Sequence, residues 1–171
     1  MRITNATNAT YNRDFYNALP EDRCLATYLR HESVRSLYLS LVERAYRTAE
    51  RGCPGEVSVL DLGAGEGSAT LPFLELGAQV LAVDISERQL EQLLRKCGGL
   101  QGQLELRCAD ISDVLQENRR FDIVVANSLL HHIPDYLDLI RRASALLTEY
   151  GVFLSFQDPM WKASITRRDA V

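Results

Sequence analysis

The stretch VSVLDLGAGEG, residues 57–67, decides the fold of this 171-residue chain. Its first six residues are rich in β-branched and apolar side chains and predict a buried strand. Gly63, Gly65 and Gly67 follow at alternate positions. A glycine turn ahead of a helix lets the backbone approach a ligand closely, because glycine lacks a Cβ and tolerates positive φ. The stretch therefore predicts a strand, a ligand-binding turn and a helix in succession.

The residues beyond this stretch continue to alternate between strands and helices. Further strands are predicted at 79–84, 104–110, 121–126 and 152–156, and helices from the glycine turn to about 76, from 86 to 97 and from 135 to 150. The run 121–126 is almost continuously apolar, as expected of a strand buried on both faces. We therefore predict an α/β fold with a Rossmann-like doubly wound parallel sheet of about five strands, in the order 3-2-1-4-5.

The N-terminal third of the chain shows no predicted strands. Its polar start, 1–10, predicts a poorly ordered segment, followed by a short helix over 11–19 and a longer helix over 33–51. We expect residues 1–52 to form an N-terminal helical or lid segment and residues 53–171 to form the ligand-binding domain. Tyr11, Phe15 and Tyr16 are candidates for an aromatic lid, although they could equally pack as an ordinary short helix.

Composition and charge restrict the class of protein. The chain is 46% hydrophobic and 25% charged, and its net charge of −4 argues against a dominant basic surface for nucleic acid. No apolar run approaches the ~18 residues of a membrane span, and the start lacks the apolar stretch of a signal peptide. Cys24, Cys53, Cys97 and Cys108 are scattered without metal-ligand spacing. We interpret them as reduced thiols of a cytoplasmic protein and expect no metal site.

Polar residues stand where the predicted strands end. Asp84 lies 21 residues after Gly63, at the tip of the second strand, where a carboxylate can accept hydrogen bonds from both hydroxyls of a ribose. Asp110, at the tip of the third strand, can reach an adenine amino group. Doubly wound sheets bind ligands beyond the carboxyl ends of their strands, so the pattern predicts an adenosine-containing ligand. Either aspartate could instead cap the following helix.

The charge near the glycine turn distinguishes two such ligands. A dinucleotide fingerprint would place its third glycine at position 68, where this chain has Ser68. Asp61 also puts a negative charge where a pyrophosphate would sit. A carboxylate repels phosphate but suits the cationic amino-acid end of S-adenosylmethionine. The sign of this charge therefore favours S-adenosylmethionine over NAD.

Five segments of the chain resemble the motifs of class I S-adenosylmethionine-dependent methyltransferases. They are DLGAGEG at 61–67, AVDIS at 82–86, CAD at 108–110, FDIV at 121–124 and LHHI at 130–133. They follow the order and spacing of the family from about residue 57 to residue 158. The chain most resembles small-molecule enzymes with a His-His motif after the fourth strand, including quinone-biosynthesis types.

The resemblance implies a cofactor-binding role for each motif, with S-adenosylhomocysteine as the product left by the cofactor. The implied contacts are Asp61 and Gly63 at the methionine end, Ala64, Gly65 and Gly67 in the turn, Asp84 at the ribose, Ile85, Asp110 and Ile111 at the adenine, and Asn127 near the methionine portion.

The candidates for catalysis are His131 and His132, which follow the fourth strand. A neutral imidazole can accept a proton near pH 7, although either ring could instead pack against the cofactor or bond to backbone. The chain lacks the motifs of DNA amino-methylating, cytosine-ring and protein-arginine methyltransferases. Elimination and resemblance together predict methyl transfer to an oxygen, nitrogen or carbon atom of a small molecule. The alternatives are a catalytically silent S-adenosylmethionine-binding module and an NAD(P)-dependent oxidoreductase.

The end of the chain departs from the pattern of the family. Class I enzymes of this kind follow the fifth strand with a helix and an antiparallel strand pair, and residues 158–171 are too few for all three. We therefore expect a C-terminally truncated domain, or an exposed sheet edge that a partner covers, for instance in a homodimer.

Overall fold

The computed structural model describes residues 5–20, 27–52, 55–98 and 103–158. Within these ranges one parallel sheet has the strand order β3-β2-β1-β4-β5. Its strands are β1 (Ser58–Leu62), β2 (Gln79–Asp84), β3 (Leu104–Cys108), β4 (Phe121–Asn127) and β5 (Leu147–Phe156). The predicted fold class and strand order are confirmed.

Helices cover both faces of this sheet. They are α1 (Asn5–Asn17), α2 (Glu32–Glu50), α3 (Thr70–Glu75), α4 (Glu87–Cys97), α5 (Ile111–Val114) and α6 (Tyr136–Ser144), with short 3-10 helices at Thr27–Arg30 and Leu130–His132. In the described part of the chain, no helix is both long and apolar enough to cross a membrane.

Alternate side chains of the strands sort into two hydrophobic cores. Val59 and Val80 belong to the core that α2, α3 and α4 cover, where Tyr38 is fully buried. Leu60 and Leu81 belong to the opposite core, beneath α5 and α6. This division follows the two-residue period of a strand. All seven residues of β4 are buried, which explains why its sequence does not alternate.

Most of the predicted elements lie within two residues of their observed bounds, and the physical signals behind them are visible. Ser86 caps α4 by accepting a hydrogen bond from the Gln89 backbone N–H at 3.3 Å. Gly77 and Gly98 follow α3 and α4 with φ of 89° and 48°, so both helices end at a glycine with a positive φ that side chains rarely adopt.

Two predictions about element boundaries are wrong. The N-terminal helix begins at Asn5 rather than near residue 11, because its polar residues dock against other parts of the molecule. The helix predicted over 135–150 ends at Ser144, and β5 begins at Leu147 rather than at residue 152. Residues 147–150 are extended because β4 pairs with β5 from Phe121 onward.

The amino ends of β1, β4 and β5 are joined through Asp122. Its Oδ2 atom accepts hydrogen bonds from the Ser58 backbone N–H at 3.0 Å and from the Ser58 hydroxyl at 2.7 Å. Its Oδ1 atom accepts one from the Thr148 hydroxyl at 3.0 Å. The pairing of β4 with β5 shifts register at this point, between Phe121 and Ile123.

Candidate active site

A cleft of about 1300 Å³, including space open to solvent, runs along the carboxyl ends of the strands. Most of the sequence-predicted site residues line it: Gly63, Ala64, Gly65, Asp84, Ile85, Asp110, Ile111, Asn127 and His132. Asp61 and Gly67 are buried and do not line the cleft. His131 lies beside His132, with the centroids of the two rings 4.0 Å apart.

The glycine turn depends on two glycines for different reasons. Gly65 lines the cleft with φ of 54°, a conformation that side chains rarely adopt, and its N–H donates to Asp84 Oδ2 at 2.8 Å. Gly67 has φ of 95°, and a Cβ there would lie 2.4 Å from Leu93 Cδ1 on α4. Lys96 of α4 also pairs with the Glu66 carboxylate at 2.7 Å. The turn is therefore fixed by close packing against α4.

Asp84 joins the glycine turn to the end of β2. Besides the bond from Gly65, its Oδ1 atom accepts a hydrogen bond from the Ser86 backbone N–H at 2.8 Å. Burial raises the pKa of Asp84, while these backbone donors oppose the rise. An ionised carboxylate has about four acceptor sites, so Asp84 can still accept hydrogen bonds from a ligand.

Asp61 is a buried carboxyl in which one of the two oxygens has no hydrogen-bond partner among the described residues. Its Oδ2 atom accepts a hydrogen bond from the Thr70 hydroxyl at 2.6 Å, and its Oδ1 atom has no partner among the described residues. Burial raises the pKa of Asp61 to about 7, with a further contribution from the charge of Asp84. A cationic donor at Oδ1 would stabilise the ionised form.

Gln89 is a cleft residue that none of the motifs above includes. Ser86 and Gln89 have the spacing of a capping box, but its reciprocal half is not made, because Asp84 takes the Ser86 backbone N–H. The Gln89 side chain lines the cleft, and its buried Oε1 atom has no hydrogen-bond partner within the described ranges. Its position on the first turn of α4, facing Gly65, was not encoded in any motif.

Asp110 and Ile111 line the cleft at the end of β3. The Asp110 side chain also caps α5 by accepting a hydrogen bond from the Ser112 backbone N–H at 2.8 Å. The capping alternative considered from the sequence is therefore realised, and it fixes this carboxylate at the edge of the cleft.

The end of β4 is tied to the glycine turn. Asn127 donates from Nδ2 to the Ser68 hydroxyl at 2.8 Å, and the Ser68 carbonyl accepts a hydrogen bond from the Tyr38 hydroxyl at 3.3 Å. The next residue, Ser128, has φ of 54°. This conformation turns the chain sharply into the 3-10 helix Leu130–His132 that carries both histidines.

Helix α1 closes one side of the cleft. Asn8, Asn12 and Tyr16 line it, and the Asn8 side-chain amide donates to the His132 carbonyl. The Tyr16 hydroxyl and His132 Nε2 are 2.9 Å apart. Tyr11 and Phe15 are 67% and 43% exposed and do not line the cleft, which agrees with the alternative of an ordinary short helix for these two rings. They stack on each other along the outer side of the same helix.

The Tyr16–His132 hydrogen bond joins two groups that are both neutral at pH 7. Burial raises the pKa of Tyr16 and, with the neighbouring His131, lowers the pKa of His132 to about 4. At pH 7 the hydroxyl therefore keeps its proton and the imidazole is neutral, so the tautomer of His132 decides which of the two groups donates.

The described residues fit an adenosine-containing cofactor with a cationic end. Asp61 Oδ1 and Gln89 Oε1 are buried acceptors that lack a donor, and Gly65 leaves the floor of the cleft free of a side chain. Within the described ranges, no three His, Cys, Asp or Glu side chains come together as a metal site.

Comparisons with known proteins agree with this geometry. Residues 60–153 match the model of a family described as methyltransferase domain. A ubiquinone biosynthesis O-methyltransferase from Bradyrhizobium diazoefficiens is 29% identical over 136 residues, which are 79% of this chain and 53% of the relative. A similar enzyme from Coxiella burnetii is 32% identical over 106 residues, or 61% of this chain and 45% of the relative. The chain thus spans about half the length of these relatives.

Solved structures share the fold. The magnesium protoporphyrin IX methyltransferase of Synechocystis PCC 6803, with bound S-adenosylmethionine, superposes with a TM-score of 0.61 at 23% identity and covers 84% of this chain and 74% of its own. Coclaurine N-methyltransferase, bound to N-methylheliamine and S-adenosylhomocysteine, gives 0.58 at 27% identity over 71% of this chain and 35% of its own. The family match favours a methyltransferase over the nicotinamide oxidoreductase considered from the sequence. The chain belongs to the methyltransferase-domain family, as a class I S-adenosylmethionine-dependent member.

Proposed function

We propose that this chain binds S-adenosylmethionine and transfers its methyl group to an oxygen, nitrogen or carbon atom of a small molecule. The observation that carries the proposal is the buried Asp61 carboxyl, whose Oδ1 atom lacks a donor behind a glycine turn that leads into a cleft. When bound, the cofactor supplies an activated methyl group on a sulfonium and leaves as a neutral thioether. The protein then needs to align the acceptor, exclude water and remove a proton where the acceptor carries one.

Residues at the ends of β1, β2 and β3 would hold the cofactor. Asp61 would accept from the ammonium group of the methionine end, beside Gly63 and the rest of the glycine turn. Asp84 would accept from the ribose hydroxyls, and the unpartnered Gln89 Oε1 offers a further acceptor. Asp110, Ile111 and Ile85 line the part of the cleft assigned to the adenine.

The charges along the cleft support an acceptor without acidic groups. Among the described residues, five carboxylates line it against one cation, Arg142, which donates to the Ser112 carbonyl at 3.1 Å. The carboxylates are Glu66, Asp84, Asp110, Asp135 and Asp138. Such a field repels carboxylates and phosphates and tolerates neutral or cationic molecules. Phenols and amines meet this condition, and the names of the relatives include both O- and N-methyltransferases.

We propose that α1, in the segment 1–52, covers the cleft over the cofactor-binding domain 53–171. Its contacts with His132 support this role, because a helix that closes a cleft excludes water from the reacting groups. Helix α2, from the same segment, packs into the core beside β5 and so anchors this segment to the domain.

We further propose a cytoplasmic location and a homodimer through β5. Cys97 and Cys108 are free thiols, in keeping with a reducing compartment. Strand β5 is an edge of the sheet in the described part of the chain, and such an edge can pair with a second copy. Analytical ultracentrifugation tests the dimer, and a monomer at micromolar concentrations would contradict it.

Calorimetry with S-adenosylhomocysteine tests the proposed function. The chain should bind it, and Asp84→Asn should weaken binding about 10- to 100-fold because hydrogen bonds to a charged acceptor are lost. Asp113→Asn is the matched control, since Asp113 is exposed and does not line the cleft. No detectable binding to the unmodified chain would overturn the proposal. Binding without methylation of any phenol or amine in a broad panel would favour the catalytically silent module.

A further inference from the structure

The Gln89 side chain is a buried polar group inside the cleft. It is 2% exposed, it lines the cleft, and its Oε1 atom has no hydrogen-bond partner among the described residues. Buried polar groups are nearly always hydrogen-bonded, because an unpaired acceptor away from water costs free energy. A buried amide oxygen that faces a cleft therefore indicates a donor that comes from a ligand.

The start of α4 holds Gln89 in place. Its backbone N–H donates to the hydroxyl of the capping residue, Ser86, at 3.3 Å. The Ser86 backbone N–H donates in turn to Asp84 Oδ1 at 2.8 Å. Because Ser86 serves both the cap and the carboxylate, the position of Gln89 is fixed relative to Asp84.

Gln89 and Asp84 approach the same glycine of the turn. The Gly65 N–H donates to Asp84 Oδ2 at 2.8 Å, and a Cβ on Gly65 would lie 3.7 Å from Gln89 Oε1, an ordinary van der Waals distance. Gly65 lines the cleft and leaves that space to a ligand. A ligand atom that packs against Gly65 is therefore within reach of acceptors from both side chains.

The acceptors around Gly65 match a particular chemical group. Each Asp84 oxygen already accepts one backbone hydrogen bond, and an ionised carboxylate has about four acceptor sites in all. Gln89 Oε1 adds a further acceptor from a second direction. Two side chains that accept require two donors, and the vicinal hydroxyls of a ribose provide two donors on adjacent carbon atoms.

The charge of the site favours an amide at position 89. Burial raises the pKa of both Asp61 and Asp84, and the charge of Asp84 raises the pKa of Asp61 further. A carboxylate at position 89 would oppose the ionisation of both aspartates. Glutamine supplies the additional acceptor without adding negative charge.

We propose that Gln89 is a binding residue that shares the ribose of the cofactor with Asp84: Gln89 Oε1 accepts from one hydroxyl and the Asp84 carboxylate accepts from the other. The inference rests on the proposed function, since the ribose is that of S-adenosylmethionine. Gln89 is then a determinant of specificity. A ribose that lacks either hydroxyl leaves a buried acceptor unpaired, and the site discriminates against it.

Calorimetry with S-adenosylhomocysteine and its 2′-deoxy and 3′-deoxy forms tests the sharing of the diol. Gln89→Met keeps the length of the side chain and removes its amide, so it should weaken the binding of S-adenosylhomocysteine about 5- to 10-fold. The same substitution should cost nothing for the deoxy form that lacks the hydroxyl bound by Gln89, and should keep its full cost for the other form. Equal losses for all three ligands, or no loss for S-adenosylhomocysteine, would overturn the inference.

Gln92→Met is the matched control on the same helix. Gln92 is 6% exposed, and its Nε2 atom has no partner in the part of the chain that the structure describes, but the residue does not line the cleft. Its substitution should leave all three affinities unchanged. Losses equal to those of Gln89→Met would show that the effect comes from the packing of α4, which contradicts a direct contact with the ribose.

Binding to the unmodified chain keeps the test independent of how the variants fold. It should bind each deoxy form about 5- to 10-fold more weakly than S-adenosylhomocysteine, and equal affinity for either form would overturn the sharing of the diol. If the unmodified chain binds none of the three ligands, the proposed function fails and the inference fails with it. If Asp84→Asn weakens binding and Gln89→Met does not, only the role of Gln89 fails.

Discussion

At the cofactor end of the cleft, the deciding contacts join residues close in sequence: Asp61 and Thr70 are 9 residues apart, and Gly65 and Asp84 are 19 apart. At the histidine end, Tyr16 and His132 are 116 residues apart, and Asn8 reaches the same histidine across 124. The first end is formed by backbone geometry within one strand–turn–strand unit. The second exists only once α1 has docked, so the two ends should respond differently to mutation.

The largest effect should come from the packing of the glycine turn. Gly67→Ala places a Cβ 2.4 Å from Leu93 Cδ1 and forces a side chain into φ of 95°. We expect the free energy of unfolding to fall by roughly 2–4 kcal/mol, measured by urea denaturation. Gly55→Ala is the control, because a Cβ there would meet nothing within 4 Å, and it should change stability by less than about 0.5 kcal/mol. Similar losses for the two variants would show that the turn is not packed as described.

The second largest effect should be a change in ligand affinity with pH, caused by the ionisation of Asp61. Its pKa of about 7 lies above the value of 3.8 for the free side chain, so the folded, ligand-free chain favours the neutral carboxyl. This contribution to stability is present at low pH and is lost as the pH rises through about 7. A cationic ligand requires the ionised form, so S-adenosylhomocysteine should bind about tenfold more weakly at pH 6 than at pH 8.

Calorimetry at the two pH values measures this dependence. Asp61→Asn should bind more weakly at both and should lose most of the difference between them. If that variant keeps the full dependence on pH, another group is responsible and Asp61 does not contact the cationic end.

The smallest effect should come from the histidine end. Tyr16→Phe removes the hydrogen bond between the Tyr16 hydroxyl and His132 Nε2, at a cost of about 1 kcal/mol. Hydrogen exchange of the α1 amides should accelerate about fivefold, while amides of β1 and β4 remain unchanged. Tyr11→Phe is the control, since the Tyr11 ring is 67% exposed on the same helix. Equal acceleration in the two variants would mean that the contact with His132 does not hold α1 in place.

The difference between the two ends of the cleft also explains which parts of the structure the sequence predicts. The sheet, its strand order and most of the cleft lining follow from local patterns: an apolar run, a glycine turn and a polar residue at each strand end. Polar residues at strand ends identify Asp84 and Asp110, and the same rule holds for β5, where Asp158 lies two residues past Phe156.

What the sequence could not predict depends on contacts between distant segments. The polar residues 5–10 look poorly ordered by composition and become helical because Asn8 and Tyr16 find His132. Residues 147–150 continue a helical pattern, yet they extend because β4 offers them a partner. Gln89 has the spacing of a capping-box residue, but the Ser86 backbone N–H donates to Asp84 instead, and the Gln89 side chain lines the cleft.

The Asp122 junction at the amino ends of the strands has a consequence at the opposite edge of the sheet. Successive residues of a strand point to opposite faces, so a slip of one residue in β5 would reverse every side chain after it. The bond from Thr148 to Asp122 anchors β5 at the point where its register shifts. Asp122 therefore fixes the register of β5 and with it the face of the sheet on which Ser155 lies. Because Ser155 donates a hydrogen bond to Asp158, the same register determines whether the Asp158 carboxylate lies beside His131.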